Sequence, residues 1–125
     1  MKKINKKEEI LTANKLKRMI KYRSINNRRN SVKCWGGTTY KHYITICQIV
    51  FKFVQAGYEV FTEVEGKDEK WRADIVAING SVGQIVEVLH SESDERFQKK
   101  KKYYPKEFIL RAVKTKDFDL DSFDI

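Results

Sequence analysis

Residues 71–89, Trp-Arg-Ala-Asp-Ile-Val-Ala-Ile-Asn-Gly-Ser-Val-Gly-Gln-Ile-Val-Glu-Val-Leu, contain the two strands that decide how this chain folds. Asn79-Gly80 is a strong signal for a tight hairpin turn, and the apolar residues on either side are typical of buried strands. One carboxylate interrupts each strand, Asp74 in the first and Glu87 in the second. Because a charged group inside an apolar strand is costly unless it is compensated, these two residues are the first candidates for a functional site.

The position of the hairpin turn determines how the two carboxylates face each other. A turn at Asn79-Gly80 pairs position 74 with 85 and leaves Glu87 as the diagonal neighbour, whereas a turn at Gly80-Ser81 pairs Asp74 with Glu87 directly. Either turn puts both carboxylates on one face of the sheet. Two carboxylates this close repel unless they share a proton or a cation, and a divalent metal ion suits their oxygen ligands.

Each carboxylate also has a simpler explanation. Asp74 is then an ordinary edge-strand or turn residue, and Glu87 forms an ion pair with Arg72 or with a lysine of the following helix. The two carboxylates together favour a metal site more strongly than either does alone.

Periodicity predicts the elements outside the hairpin. We expect three helices and two further strands, over residues 6–22, 40–56 and 91–104 for the helices and 58–65 and 107–113 for the strands. Three strands joined by short turns form a meander, and a strand reached through a crossover helix usually joins the sheet in parallel. The expected fold class is α/β, a mixed sheet flanked by helices, with an extra N-terminal helix.

Charge is distributed unevenly along the 125 residues, whose net charge is +9. Residues 1–33 carry 12 basic and 2 acidic side chains, and the remainder is nearly neutral. This pattern predicts a basic N-terminal helix and linker (1–33), an α/β domain (34–116) and a short acidic tail (117–125). A cationic segment favours a polyanionic partner. Without an apolar run long enough for a bilayer or a signal peptide, we expect no membrane partner and a cytoplasmic location.

The residues around the two carboxylates resemble the PD-(D/E)XK nuclease superfamily. The similarity consists of Trp-Arg-Ala-Asp74-Ile-Val-Ala, the hairpin, Gln-Ile-Val-Glu87-Val-Leu and a basic helix ending in Tyr-Tyr-Pro, and it covers about residues 40–113. It implies a restriction-endonuclease-like α-β-β-β-α-β core in which Asp74 and Glu87 hold Mg²⁺, or Mn²⁺. The implied activity is that of a metal-dependent DNA endonuclease, in one form a structure-specific enzyme of the Holliday-junction type.

The chain departs from the family pattern at the motif lysine. Members carry a lysine two residues after the Glu, on the same face, and Leu89 occupies that position here. Gln98, or one lysine of the run Lys99 to Lys102, is expected to replace it. The alternatives are a nuclease-fold protein that binds nucleic acid without cutting it, and a protein-interaction module in which both carboxylates are merely ion-paired.

Further candidates come from the remaining polar residues. His42 lies on the inward stripe of the second helix, where some branches of the family carry a histidine, although a core histidine is the simpler interpretation. Glu63 is the expected extra carboxylate, with Glu65 competing. Tyr103 and Tyr104 are expected at the core and its rim rather than as base-stacking platforms.

Basic residues outside the core are expected to bind phosphates. They are Lys99, Lys100, Lys101, Lys102, Arg28, Arg29 and Lys33. The simpler interpretations are a solvated helix face for the lysine run and a solubilising leader for the arginines. A homodimer is expected for cleavage of two strands, with a contact formed by Ile10, Leu16 and Ile20.

Overall fold

The structure, a computed structural model, describes residues 5–21, 29–89 and 94–125. It contains three α-helices and five strands: α1 (Lys6–Lys17), β1 (Ile20–Lys21), α2 (Tyr40–Gln55), β2 (Glu59–Gly66), β3 (Arg72–Asn79), β4 (Val82–Leu89), α3 (Asp94–Lys100) and β5 (Ile109–Lys114). Short 3₁₀ turns cover Lys101–Tyr103, Thr115–Asp117 and Leu120–Ser122. The predicted α/β class is confirmed. Across the described ranges, no helix combines the length and the apolar character that crossing a membrane requires.

The five strands form one mixed sheet in the order β1-β2-β3-β4-β5. Strands β1 to β4 pair antiparallel, and β5 joins β4 in parallel after the crossover through α3. The predicted meander and parallel last strand are therefore confirmed. Strand β1 was not predicted, because two residues are too few to show a periodicity.

The hairpin between β3 and β4 uses the second of the two turns considered. Asn79 pairs with Val82 and Ile75 with Val86, so Gly80 and Ser81 form the two-residue loop. Gly80 has a φ of 56°, which glycine adopts without the steric cost that a Cβ would add. This register puts position 74 opposite position 87.

The sheet buries apolar side chains on both faces. The α1-side core includes Leu16, Ile20, Phe61, Val64, Trp71, Ala73, Val76, Ile85, Tyr104 and Phe108. The α2-side core includes Ile46, Ile49, Phe53, Val60, Ile75, Ala77, Val86, Val88 and Phe123. Because the central strands are covered on both sides, their sequences are nearly continuous apolar runs.

The N-terminal helix packs into the domain. Leu16 and Ile20 are buried against the sheet, so two of the three residues predicted to form a dimer contact lie inside this chain's own core instead. Helix α1 also ends earlier than predicted, because Ile20 leaves the helix to pair with Gly66 of β2. Helix α1 therefore packs against the sheet of the α/β domain, although the predicted domain boundary at residue 33 separates the two.

Part of the predicted linker is held against β2. The Asn30 N–H donates to the Val60 carbonyl at 2.7 Å, and the Val60 N–H donates to Asn30 Oδ1 at 2.8 Å. The Thr62 hydroxyl donates to the Ser31 carbonyl at 2.9 Å. These bonds hold Asn30 and Ser31 along β2, the strand with which β1 also pairs. They bring Lys33 toward Glu63.

The predicted acidic tail is also part of the domain. Phe118 and Phe123 pack against the α2-side core, and the Phe123 ring lies 6.0 Å from that of Phe53. The Lys52 ammonium donates to the carbonyls of Leu120, at 2.8 Å, and Phe123. The aspartates of this segment separate aromatic residues that anchor it, so its acidic composition concealed a packed structure.

Candidate metal centre

Three side chains from three elements converge at one end of the sheet. They are His42 of α2, Glu63 of β2 and Asp74 of β3, and one ligand atom from each lies within 4.8 Å of the other two. His42 Nε2 is 3.8 Å from Asp74 Oδ1, and each of these side chains is 20% exposed. One imidazole nitrogen and two carboxylate oxygens at this spacing can hold a metal ion. We call these three residues the metal cluster.

The N-terminus of α2 positions His42. Thr39 caps the helix, and its Oγ1 accepts a hydrogen bond from the His42 N–H at 3.2 Å. His42 lies on the same helix face as Ile46 and Ile49, which turns its ring toward the sheet. Its ring there approaches the Asp74 carboxylate.

Glu63 reaches the metal cluster from a strained backbone. Its φ is 52°, in the left-handed region that few residues other than glycine adopt. The register from Thr62–Ile75 to Val64–Ala73 puts Glu63 opposite Asp74. Such a conformation costs about 1–3 kcal/mol and persists only where the surrounding structure enforces it. The alternation of residues 58–65 contained no signal of this break.

The choice between Glu63 and Glu65 is resolved by their partners. Glu65 is 3.8 Å from Lys21 and 3.9 Å from Arg72, in two partly exposed ion pairs. Glu63 is the one that joins the metal cluster. Burial raises the pKa of Glu63, and the charge of Asp74 raises it further, whereas His42, Arg72 and Lys33 lower it. A cation placed between the Glu63 and Asp74 carboxylates would therefore reduce their repulsion and stabilise the metal cluster.

Asp74 and Glu87 join β3 and β4 beyond the point where the paired register ends. The Val88 N–H donates to Asp74 Oδ2 at 2.8 Å, and the Asp74 N–H donates to Glu87 Oε1 at 3.2 Å. Each carboxylate thus accepts a main-chain N–H of the opposite strand, in the role that a carbonyl has in a regular ladder. This exchange explains how an acid is accommodated within each apolar strand.

The two carboxyl groups nevertheless turn toward different faces of the sheet. Ala73 packs in the α1-side core and Ile75 in the α2-side core, so the alternation of β3 is broken at Asp74. Asp74 consequently meets His42 on the α2 side. Glu87 lies between Val86 and Val88, both of the α2-side core, and therefore faces the α1 side. The expectation that both carboxylates share one face is wrong for this reason.

Glu87 lies in an apolar environment beside Tyr104. The Tyr104 hydroxyl donates to the Arg72 carbonyl at 2.9 Å, and a hydrogen bond also links it to Glu87. Burial raises the pKa of Glu87 to about 8, with a further contribution from the charge of Asp74. The hydrogen bonds that Glu87 forms with the Asp74 amide and the Tyr104 hydroxyl, and the charge of Lys100, lower it. Glu87 is not a member of the metal cluster.

The residues that could replace the motif lysine differ in their surroundings. Leu89 is buried, at 3% exposure. Gln98 is exposed on α3. Of the lysine run, Lys100 is close enough to Glu87 to favour its charged form, whereas Lys99 is 3.8 Å from Glu95 on an exposed helix surface. Lys100 is therefore the better placed cation.

The other predicted phosphate-binding residues are spread over the surface. Lys101 and Lys102 are exposed at the end of the crossover, and Lys102 Nζ lies 5.1 Å from the centre of the Tyr103 ring. Arg29 is 3.5 Å from Glu59, which also binds Lys17. Arg28 lies outside the described residues. Lys33 is exposed and acts on Glu63.

Sequence reasoning missed the part played by Tyr104. It was correctly predicted in the core, at 8% exposure. Its hydroxyl, however, links the start of β3 to Glu87. A tyrosine before a proline at a helix end carries no signal of such a contact.

Comparisons with known proteins identify no relative: no family model, no curated protein and no solved structure matches this chain.

Proposed function

We propose that this protein is a metal-dependent DNA endonuclease. The metal cluster of His42, Glu63 and Asp74 is the observation that carries the proposal. Its support is the site's location, at the end of a mixed sheet whose helix-strand-strand-strand-helix-strand order is the one expected for a restriction-endonuclease-like core. A backbone strained at one ligand position is a further feature of functional sites.

The ligand set suits Mg²⁺ and Mn²⁺. Carboxylate oxygens are ligands for both ions, and the imidazole of His42 adds a nitrogen that Mn²⁺ accepts more readily than Mg²⁺. When bound, such an ion supplies charge stabilisation at phosphate and lowers the pKa of a coordinated water. Asp74 and Glu63 hold the ion, as expected for Asp74, and His42 takes the place expected of Glu87.

The remaining residues act around the metal cluster. Glu87 accepts the Asp74 N–H and so fixes the start of β3, which orients the Asp74 carboxylate. Lys33 acts on Glu63, and we assign it to stabilising negative charge on phosphate at the metal cluster. Lys100 acts on Glu87, which faces the α1 side of the sheet, so it has no assigned role at the metal cluster on the α2 side.

The proposal also covers the kind of DNA that is cut and the number of protein copies that cutting requires. One metal cluster of this size cuts one strand at a time, so cleavage of a duplex or of a four-way junction needs two copies. A structure-specific, junction-resolving activity by a homodimer is the most complete form of the proposal.

A cleavage assay tests the proposal. Purified protein is given supercoiled plasmid, single strands and branched DNA with Mg²⁺, Mn²⁺ or EDTA. We expect cutting only with metal, and a loss of about 1,000-fold in Asp74→Asn, Glu63→Gln and His42→Ala. The matched control is Glu65→Gln, which removes a carboxylate from the same strand outside the metal cluster and should cut normally.

The second candidate function is DNA binding without cleavage, favoured by the buried Leu89 at the lysine position. It predicts salt-sensitive gel retardation of DNA and no cutting of any substrate. Absence of retardation at about 50 mM salt, where charge-driven binding is strong, would contradict both functions and favour a protein-interaction module.

A further inference from the structure

The two edges of the five-stranded sheet differ in how well they are protected from other chains. At the first edge, β1 is only two residues long and pairs with the end of β2. Lys21 of β1 forms ion pairs with Glu65 and Glu69. Asn30 is bonded to Val60 near the other end of β2. Short strands, charged side chains and covering loops are the usual means by which natural proteins keep an edge from pairing.

The opposite edge, β5, is longer and less protected. It is six residues long, and within the described ranges it pairs only with β4. Its register with β4 is continuous, so no bulge interrupts the strand. No main-chain hydrogen bond from another described residue reaches the outward side of Ile109 to Val113. Since every second residue of such a strand points its N–H and C=O groups away from the neighbour, these groups can pair with a further strand.

The side chains of β5 leave this edge largely apolar. Arg111 turns toward β4: its Nη1 donates to Gln84 Oε1 at 3.0 Å, and its guanidinium lies 4.1 Å from the centre of the Phe123 ring. Ile109 is 55% exposed at the start of the strand. Val82, 39% exposed, comes two residues before Gln84, the partner of Ile109, so both apolar side chains lie on one face.

We propose that β5 pairs antiparallel with β5 of a second copy of this chain, which joins two five-stranded sheets into one. A strand is complementary to an identical strand that runs in the opposite direction, and the contact then has twofold symmetry. Each apolar side chain at the edge contributes twice to such an interface. The surface predicted from the sequence for this role is largely unavailable, because Leu16 and Ile20 are buried in the chain's own core.

This pairing places both metal clusters on one side of the joined sheet. The twofold axis is perpendicular to the sheet, so the face on which Asp74 meets His42 is continuous across the two copies. Position 74 lies opposite Glu87, which pairs with Ala112 near the middle of β5, so both Asp74 residues lie near the level of the axis. Five steps between neighbouring strands separate them, or about 24 Å at about 4.8 Å a step. The contact of one DNA molecule with both clusters rests on the proposed function.

Two measurements on the unaltered chain test the pairing without metal or DNA. Sedimentation equilibrium in EDTA, from about 1 µM to about 1 mM protein, should show a reversible monomer–dimer equilibrium. Hydrogen exchange at the outward amides of Ile109 to Val113 should slow as the concentration rises, and exchange in β2 should not change, because only the β5 edge gains a partner. A chain that stays monomeric, or a dimer whose β5 amides exchange as in the monomer, would overturn the inference.

A lysine placed on the edge strand tests the surface directly. Ile109→Lys adds a charge of the kind that protects natural edges, and we expect the dimer Kd to rise at least about tenfold. Ile109→Val keeps an apolar β-branched side chain and should dimerise as the wild type does.

The matched control is Ile10→Lys, which should leave the dimer Kd unchanged. Ile10 is 53% exposed, against 55% for Ile109, and it lies on α1, where the sequence alone predicted the contact. If Ile10→Lys weakens the dimer and Ile109→Lys does not, the contact belongs to α1 and the inference is wrong.

Cleavage assays keep this result separate from the endonuclease proposal. A dimer paired through β5 that cuts no DNA would support the pairing and contradict the endonuclease. A monomer that cuts DNA with metal would support the endonuclease and overturn the pairing. If Ile109→Lys still nicks one strand of a plasmid but no longer cuts both strands, both proposals are supported.

Discussion

The two ends of β4 both place a buried polar side chain in an apolar strand, and they satisfy it in different ways. At one end Gln84, 4% exposed, accepts a hydrogen bond from Arg111 Nη1 at 3.0 Å and donates one to the Tyr58 hydroxyl at 3.3 Å. At the other end Glu87, 7% exposed, lies against the charge of Asp74 and has a raised pKa. The amide network contains complementary partners, whereas the carboxylates repel one another. Buried polar groups that have hydrogen-bond partners stabilise a fold. Buried groups of like charge repel one another, and they indicate a site that binds a cation or a proton.

The pH dependence of stability should show the largest difference between the two ends. The pKa of Glu87 is about 8 in the folded protein and near 4.5 when unfolded, so the folded state binds the extra proton between these values. The free energy of unfolding should therefore fall as the pH rises from about 5 to 8, by a few kcal/mol from this residue. Glu87→Gln keeps an oxygen for the Asp74 N–H but cannot ionise, and we expect it to remove this decline.

Urea unfolding at several pH values between 5 and 8 measures this effect as the difference between the wild type and Glu87→Gln. Gln84→Leu serves as the comparison, because it alters the neutral end and should unfold with the wild-type pH slope. Parallel curves for the wild type and Glu87→Gln would contradict a raised pKa of Glu87 in the folded protein.

Stability at fixed pH should show the next largest difference. Gln84→Leu leaves Arg111 without its amide acceptor in a partly buried position, and we expect a loss of roughly 1–3 kcal/mol. Asp74→Asn, in contrast, removes the repulsion with Glu63 and Glu87 and should be neutral or stabilising. Thermal and urea unfolding of both variants measure this contrast. If Asp74→Asn destabilises the protein as much as Gln84→Leu does, the polar residues at both ends of β4 serve stability alone.

Metal binding should give the smallest effect, and only at the carboxylate end. At a Mn²⁺ concentration about tenfold above its Kd, the stability should rise by about 1.4 kcal/mol, which corresponds to an increase of a few degrees in Tm. The wild type and Gln84→Leu should show equal increases, and Asp74→Asn should show none. The same increase in Asp74→Asn would place the ion outside the metal cluster.

The β-hairpin and the order of the elements could be predicted because their signals are local. The Asn-Gly turn, two apolar runs and a proline-ended basic helix determine the meander and the crossover within short windows of sequence. The same reasoning selected Asp74 as a candidate, since a carboxylate inside an apolar run is visible without a structure, and Asp74 lies with His42 and Glu63 in the fold.

The parts that were missed depend on contacts between distant residues. The left-handed backbone at Glu63 interrupts a strand whose alternation appears regular, and the position of Asp74 beside His42 depends on a break in the alternation of β3. The segment after residue 116 appeared to be a solvated tail because its aspartates dominate the composition. Its two phenylalanines decide its position, through partners on α2 and β5 that no local window contains.

The left-handed backbone at Glu63 makes this position vulnerable to selection for heat resistance alone. Glycine or asparagine would relieve the backbone strain and also remove a half-buried acid that Asp74 repels, so thermostabilised descendants of this chain should lose Glu63 early. Lineages that must keep the chemistry of the metal cluster would have to gain their stability elsewhere, in the two cores or at the helix caps. A glutamate at residue 63 is therefore a marker by which an active descendant can be told from one that is merely robust.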